Sequence, residues 1–224
     1  MKLWDRLCNR YLSSRKRESF ALNTLDLKLA RYLDFNRGFF IEAGGNDGVS
    51  QSNTLYFEKY QRWTGILIEP IPDLAAQCIR NRPLCIVENC ALVPFDFSEP
   101  EIEMHYCNLM SLVKGAMKSP EKDSAHVKLG CEVQRLETYD LRVPARTLTS
   151  ILDQHSISRP IDLLSLDVEG FELSALKGLD FNRYRPQFML IEARFREEID
   201  AFLNFAYDPI AELSEHDVLY RNRG

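Results

Sequence analysis

Phe39-Phe40-Ile41-Glu42-Ala43-Gly44-Gly45-Asn46-Asp47-Gly48 joins an apolar run to a glycine-rich turn that carries two carboxylates. Gly44, Gly45 and Gly48 let the backbone turn tightly and let a ligand approach it, as the first turn after a strand requires in a nucleotide-binding sheet. The acids decide which ligand suits it. A diphosphate loop offers bare N–H groups and the positive end of a helix, and Glu42 and Asp47 would repel that anion. The spacing is not GxGxxG either, which counts against a nicotinamide dinucleotide and an oxidoreductase. S-adenosyl-L-methionine has no phosphate. It presents a sulfonium, an ammonium and a ribose, all of which carboxylates bind through charge-assisted hydrogen bonds. Glu69 follows the turn by about 20 residues, the spacing at which an acid accepts hydrogen bonds from ribose hydroxyls in dinucleotide folds.

These residues need a scaffold that gathers them. Apolar runs at 38–43, 65–69, 84–88, 161–167 and 187–192 alternate with helical patterns at 52–60, 72–81 and 171–179, which predicts an α/β fold with a mostly parallel sheet. Gly65-Ile66-Leu67-Ile68 and Phe188-Met189-Leu190-Ile191 are continuous, as in strands with helices on both faces. Segments 207–213 and 217–220 are separated only by Ser214, Glu215 and His216, too short for a crossover, so they should pair antiparallel and bring the sheet to seven strands. In a parallel sheet the strand ends converge on one crevice. Glu42, Glu69, Asp167 and Glu192 stand at such ends. Residues 1–36 should form two helices, the second over about 22–35. Residues 94–147 break the rhythm with strand-like 101–107, a polar and mobile-looking 114–130, and strand-like 132–139, so a β-hairpin and lid insertion is expected to select the substrate. A single domain over 1–224 accommodates all of it, with 1–37 as a helical extension.

The bulk properties narrow the partners. With 45% hydrophobic residues in 224, the chain can bury one sizeable core. A net charge of -5 argues against nucleic acid, which usually leaves a basic footprint. Lys2, Arg6, Arg10, Arg15, Lys16 and Arg17 form a local exception, at most a weak peripheral contact with an acidic membrane. Cys8, Cys78, Cys85, Cys90, Cys107 and Cys131 lack paired CxxC spacing and read as buried thiols of a reducing, cytoplasmic setting. No run approaches the ~20 apolar residues of a membrane span.

At motif level the chain resembles the FkbM-type methyltransferases, a branch of the Rossmann-like class I enzymes that use S-adenosyl-L-methionine. The resemblance rests on Ile41-Glu42-Ala43-Gly44-Gly45-Asn46-Asp47-Gly48, Gly65-Ile66-Leu67-Ile68-Glu69-Pro70, Asn89-Cys90-Ala91-Leu92 and, most specifically, Ile161-Asp162-Leu163-Leu164-Ser165-Leu166-Asp167-Val168-Glu169-Gly170-Phe171-Glu172. It covers about 38–222. It implies that Glu42, Gly44, Asn46 and Gly48 line the cofactor's methionine portion, Glu69 its ribose, and Asn89 with Ala91 the region of the adenine, Gly45 and Pro70 being further contacts. Asp167 and Glu169 would face the methyl group and the acceptor, and Asp167 would also touch the cofactor. Glu42 stands where many relatives carry Asp, and Ser165 where many carry Lys.

Methyl transfer from a sulfonium is an in-line displacement that asks for alignment and exclusion of water, and an alcohol acceptor also needs a base. Asp167, Glu169, Glu192 and His216 are the catalytic candidates, which the sequence does not rank. His105, His126 and His155 are read as structural or solvated. Asp167, Glu169 and Glu192 could also gather Mg2+, which prefers oxygen ligands, but the pattern demands no metal and none is assigned. The expected activity is O-methylation of a hydroxyl on a sugar, a glycan or a related secondary metabolite. The alternatives are N-methylation and a non-catalytic cofactor-binding partner in a glycan-assembly complex.

Overall fold

The computed structural model describes residues 17–224. Eleven strands follow in chain order: β1 Phe39–Ala43, β2 Thr64–Ile68, β3 Ile86–Glu88, β4 Ala91–Leu92, β5 Glu101–His105, β6 Leu112–Val113, β7 Asp140–Arg146, β8 Leu163–Leu166, β9 Phe188–Glu192, β10 Tyr207–Glu212 and β11 Asp217–Asn222. Seven of them form the main sheet in the order β10-β11-β9-β8-β1-β2-β3. Every pairing from β9 to β3 is parallel, and only β11 runs against its neighbours. This is the Rossmann-like class I methyltransferase arrangement, with the antiparallel strand near the C-terminus as expected. β1 sits between β8 and β2, and the chain reverses its direction of sheet growth there. The carboxyl ends of these three strands therefore bound the crevice.

The central strands are apolar because both faces are covered. Phe39, Ile41, Ala43, Ile66, Ile68, Leu164, Leu166 and Met189 pack on one face, while Phe40, Leu67, Leu163, Leu190 and Leu219 pack on the other. Burial of a side chain of this size contributes roughly 1.5–3 kcal/mol. Glu42 interrupts the second face. It is buried and paired in register with Ser165 of β8. Its carboxylate accepts from Ser52 Oγ at 2.9 Å, Asn53 N at 2.7 Å and Thr54 Oγ1 at 2.6 Å, with Arg82 Nη1 3.7 Å away. No lysine stands at Ser165; the counter-charge comes from Arg82, just past the Pro72–Asn81 helix. Because residues 52–54 are occupied with Glu42, the helix expected from 52 runs instead over Leu55–Gln61.

Two further expectations are corrected. The helix expected over 22–35 shrinks to Leu25–Leu29 after a 3-10 turn, because Asn23 and Thr24 take left-handed φ of 51° and 57°. Asp26 pulls the incoming chain back by accepting from Phe20 N at 2.7 Å and Ser19 Oγ at 2.5 Å. The first expected N-terminal helix lies outside the described residues. The strand expected over 132–139 does not form. Residues 120–134, which overlap the tract read as mobile over 114–130, are the helix Pro120–Gln134, capped by Ser119, and the return strand is β7, which pairs antiparallel with β5. β7 also runs parallel to β4, so the insertion builds a second four-stranded sheet, β4-β7-β5-β6.

Arg82 is fully buried and also reaches Glu58 Oε2, Gly48 O at 3.0 Å and Thr54 Oγ1 at 3.1 Å. Removing one member of such a pair strands the other charge. Arg82→Met is expected to destabilise the chain by roughly 3–5 kcal/mol. Urea unfolding with an unchanged slope and a lowered midpoint would register the loss, and an unchanged midpoint would contradict this role.

Candidate active site

A cavity of about 340 Å³ opens over the carboxyl ends of β1, β2 and β8, a size in the range of small-molecule sites. Its floor is the glycine turn. Gly44 has φ +83°, and a Cβ there would lie 2.0 Å from the Asp167 carbonyl oxygen, so the β1 and β8 loops touch only because this residue has no side chain. Gly44 N and Gly45 N donate to Ile68 O at 3.0 and 3.1 Å, fixing the turn to the end of β2. Asn46 closes the far side, donating from Nδ2 to Asn108 Oδ1 at 3.0 Å and so linking the turn to the insertion.

The β2 wall carries Glu69. Its Oε2 accepts from Asn46 N and its Oε1 from Ile71 N, each at 2.8 Å. Burial pushes this carboxyl from the usual 4.5 up to about 7, against the pull of both donors. Asn89 holds the Glu69 and Pro70 carbonyls through Nδ2 at 2.9 and 2.8 Å.

The opposite wall is acidic. Asp167 follows β8, Glu169 stands two residues on with a left-handed φ of 53°, and Glu192 ends β9. Glu172 holds the bend between them, its Oε1 accepting from Val168 N at 3.1 Å and Gly170 N at 3.0 Å. Arg194 Nη2 lies 2.8 Å from Glu169 Oε2 and 2.9 Å from Glu192 Oε1. Asp167 accepts no side-chain hydrogen bond from the described residues. Burial, and then the Glu192 and Glu169 charges, hold Asp167 well above the usual carboxylate range; burial and Glu169 also raise Glu192. The wall carries more negative charge than Arg194 offsets.

Of the residues expected at the cofactor, Gly44, Asn46, Glu69, Pro70, Ala91 and Asp167 line the cavity. Glu42, Gly45, Gly48 and Asn89 stand behind it. Glu42 faces the buried Arg82 network, Gly45 packs on Leu67, Gly48 packs on Arg82 and Cys78, and Asn89 supports the β2 end from outside. Asp167, Glu169 and Glu192 line the cavity too, whereas His216 does not: it is exposed in the turn between β10 and β11 and meets the site only through its carbonyl, which accepts from Ala193 N at 2.7 Å. Sequence reasoning missed Arg194, Asn108, Met110, Gln134 and His126. Arg194 was findable, two residues beyond a strand-end acid. His126, read as structural or solvated, stands beside Glu169, with Nε2 3.2 Å from Glu169 Oε2.

S-adenosyl-L-methionine fits these residues. A sulfonium and an ammonium suit an under-neutralised acidic wall, Gly44 leaves backbone open to close approach, and Glu69 offers carboxyl oxygens to hydroxyl donors. Gly44, Asn46, Glu69, Pro70, Ala91 and Asp167 would hold it.

The raised Glu69 carboxyl has a measurable consequence. Folding disfavours its ionised form, so its contribution is fully favourable below the unfolded value near 4.5 and is lost as pH rises through about 7. The stability of the wild-type chain relative to Glu69→Gln should therefore fall by up to about 3 kcal/mol between pH 4.5 and 7. Equal pH profiles for the two proteins in urea unfolding would contradict it.

Among known proteins, the methyltransferase FkbM domain matches residues 42–221. "Methyltransferase 1" of Beauveria bassiana is 29% identical over 153 residues, which span 63% of this chain and 58% of that protein. Solved structures with a similar outline include a TehB-like SAM-dependent methyltransferase from Corynebacterium glutamicum, 9% identical at TM-score 0.45 and covering 98% of this chain and 96% of that one. Another is a methyltransferase from Geobacter sulfurreducens, 12% identical at TM-score 0.47 and covering 100% and 90%. The fold assignment rests on the strand order rather than on these likenesses. With its glycine turn, its strand-end acids and a family match across both, the chain belongs to the FkbM methyltransferase family.

Proposed function

We propose that the protein is an S-adenosyl-L-methionine-dependent O-methyltransferase whose acceptor is a neutral hydroxyl compound: a sugar, a glycan or a hydroxylated secondary metabolite. One observation carries this reading. A single cavity joins the glycine turn and Glu69 to the acidic wall of Asp167, Glu169 and Glu192. The cofactor supplies a methyl group on a sulfonium that an aligned nucleophile displaces.

The chain's own residues do the rest. Glu69 receives the ribose hydroxyls, and the Gly44 backbone sets how close the donor lies to β8. The acidic wall accepts hydrogen bonds from the acceptor's hydroxyls and takes up the proton released on transfer, a kind of help that typically supplies about 10²–10⁴-fold. The same wall disfavours carboxylate or phosphate acceptors by repulsion. It also favours an alcohol over an amine, because carboxylates hold an amine as its ammonium, which has no lone pair to attack with. Leu109, Met110, Met104 and Val113 from the insertion close the cavity and keep water from the donor.

Transfer of a labelled methyl group to a panel of methyl glycosides, cyclitols and primary amines tests the proposal. Label should enter an alkali-stable methyl ether. Asp167→Asn should lower turnover at least 10²-fold when measured at saturating S-adenosyl-L-methionine. Label found only on amines would overturn the O-methyl reading, and no transfer by a chain that binds the cofactor would favour a cofactor-bound assembly partner.

A further inference from the structure

We infer that Cys107 and Cys131 form an oxidative modification site, at which a small disulfide such as oxidised glutathione ties the inserted helix to the turn lining the cavity. Cys107 immediately precedes the 3-10 turn Asn108–Met110, and Cys131 lies in the last turn of the helix Pro120–Gln134. Their Sγ atoms share a hydrogen bond at 3.6 Å across a sequence separation of 24 residues. A disulfide spans about 2 Å, so an approach of about 1.5 Å completes the bond. Two thiols in contact are by themselves ordinary packing. Two further observations point to a reaction. The first is Gly130, a residue type that weakens a helix interior. A Cβ there would lie 2.5 Å from Cys107 Sγ, so the missing side chain is what lets that sulfur press against the helix beside Cys131. The second is access. Cys107 is fully buried, whereas Cys131 is half-buried and lines a second cavity of about 560 Å³ with His105, Lys128, Tyr139 and Asp140. Asp140 is engaged there by His105 and Lys114, while Lys128 makes no ion pair among the described residues and suits the carboxylates of glutathione.

Cys131 is the thiol that meets the reagent. Burial pushes the Cys107 thiol up to about 12, and its contact with Cys131 adds to this, so it yields little thiolate near neutrality. The Cys131 thiol gives up its proton and its sulfur attacks the reagent's disulfide; that S–S bond breaks, and one glutathione leaves as a thiolate and takes up a proton. Cys107 then loses its proton and attacks Cys131 Sγ, releasing the second glutathione. Two hydrogens thus pass from the cysteines to one oxidised glutathione, which becomes two reduced molecules. The new bond joins the helix to a segment already tied to the glycine turn, where Asn108 Oδ1 accepts from Asn46 Nδ2 at 3.0 Å. Gln134 Nε2 donates to the Cys107 carbonyl at 3.0 Å from the helix side. Asn108, Leu109, Met110 and Gln134 line the cavity above Gly44, so the bond would hold that wall closed. Slower exchange of a ligand from the cavity rests on the methyltransferase reading. Formation of the bond does not.

Incubation of the fully reduced, native full chain with oxidised glutathione, followed by alkylation of the remaining thiols in denaturant and peptide mass mapping, tests the site. The Cys107 and Cys131 peptides should be joined, and dithiothreitol should release both. Cys131→Ser should leave Cys107 reduced, and Cys107→Ser should stop at a glutathione adduct on Cys131. The urea midpoint of the oxidised wild-type chain should rise, because the closed loop restricts the unfolded state. Dissociation of S-adenosylhomocysteine should slow by about threefold or more. Alkylation of both Cys107 and Cys131 after the incubation would overturn the site. Linkage of either one to Cys78, Cys85 or Cys90 would overturn it too. A joined pair with unchanged ligand dissociation would overturn the hold on the cavity alone. A joined pair in a chain with no affinity for S-adenosylhomocysteine would leave the modification site standing and overturn the methyltransferase reading.

Discussion

The site depends on two charges buried beneath it. Glu42 and Arg82 lie on the covered face of the sheet, where an isolated charge would cost several kcal/mol. They are tolerable only because each is bonded repeatedly: Glu42 by residues 52–54, and Arg82 by Glu58, Thr54 and the Gly48 carbonyl. A buried pair of this kind adds less stability than an apolar pair would. It supplies position instead, because one guanidinium grips the glycine turn and the segment after it together. With the turn held at that height, Gly44 meets the Asp167 carbonyl, and the loops after β1 and β8 become adjacent walls.

The two walls follow different electrostatic rules. Glu69 is a single carboxyl made less acidic by burial but held by two backbone donors, so it is orderly before any ligand arrives. Across the cavity, repulsion among Asp167, Glu169 and Glu192 is only partly relieved by Arg194. Glu169 is kept in its left-handed conformation by Glu172 behind it. Unrelieved negative charge of this kind is stable only when the surrounding fold over-determines it, and it is relieved when positive charge binds. The donor's sulfonium and ammonium are charges that would relieve it.

Much of this was legible in the sequence because it depends on local chemistry. Continuous apolar runs mark covered strands, and the three-residue spacer at 214–216 permits only a hairpin. The acids at 42, 69, 167 and 192 mark strand ends. What failed to show depends on tertiary direction. Alternation along β1 places Glu42 on the opposite face from Ile41 and Ala43, and nothing near it in sequence says that Arg82, 40 residues later, will neutralise it. Segment 132–139 looked strand-like because Val133 and Leu136 flank polar residues, yet Val127, Gly130 and Cys131 turn inward at helical spacing, and Ser119-Pro120-Glu121 carried a helix-start signal that was overlooked. That error hid His126, which stands beside Glu169 only once the insertion folds as a helix across the cavity.

The central claim is that the cavity above Gly44 and Glu69 binds S-adenosyl-L-methionine. Calorimetric titration of the full chain with S-adenosylhomocysteine and, separately, with NAD tests it most directly. The account predicts one site per chain for S-adenosylhomocysteine with micromolar affinity, about -8 kcal/mol, and no heat with NAD. Binding of NAD in preference to S-adenosylhomocysteine, or of neither by a demonstrably folded chain, would contradict it.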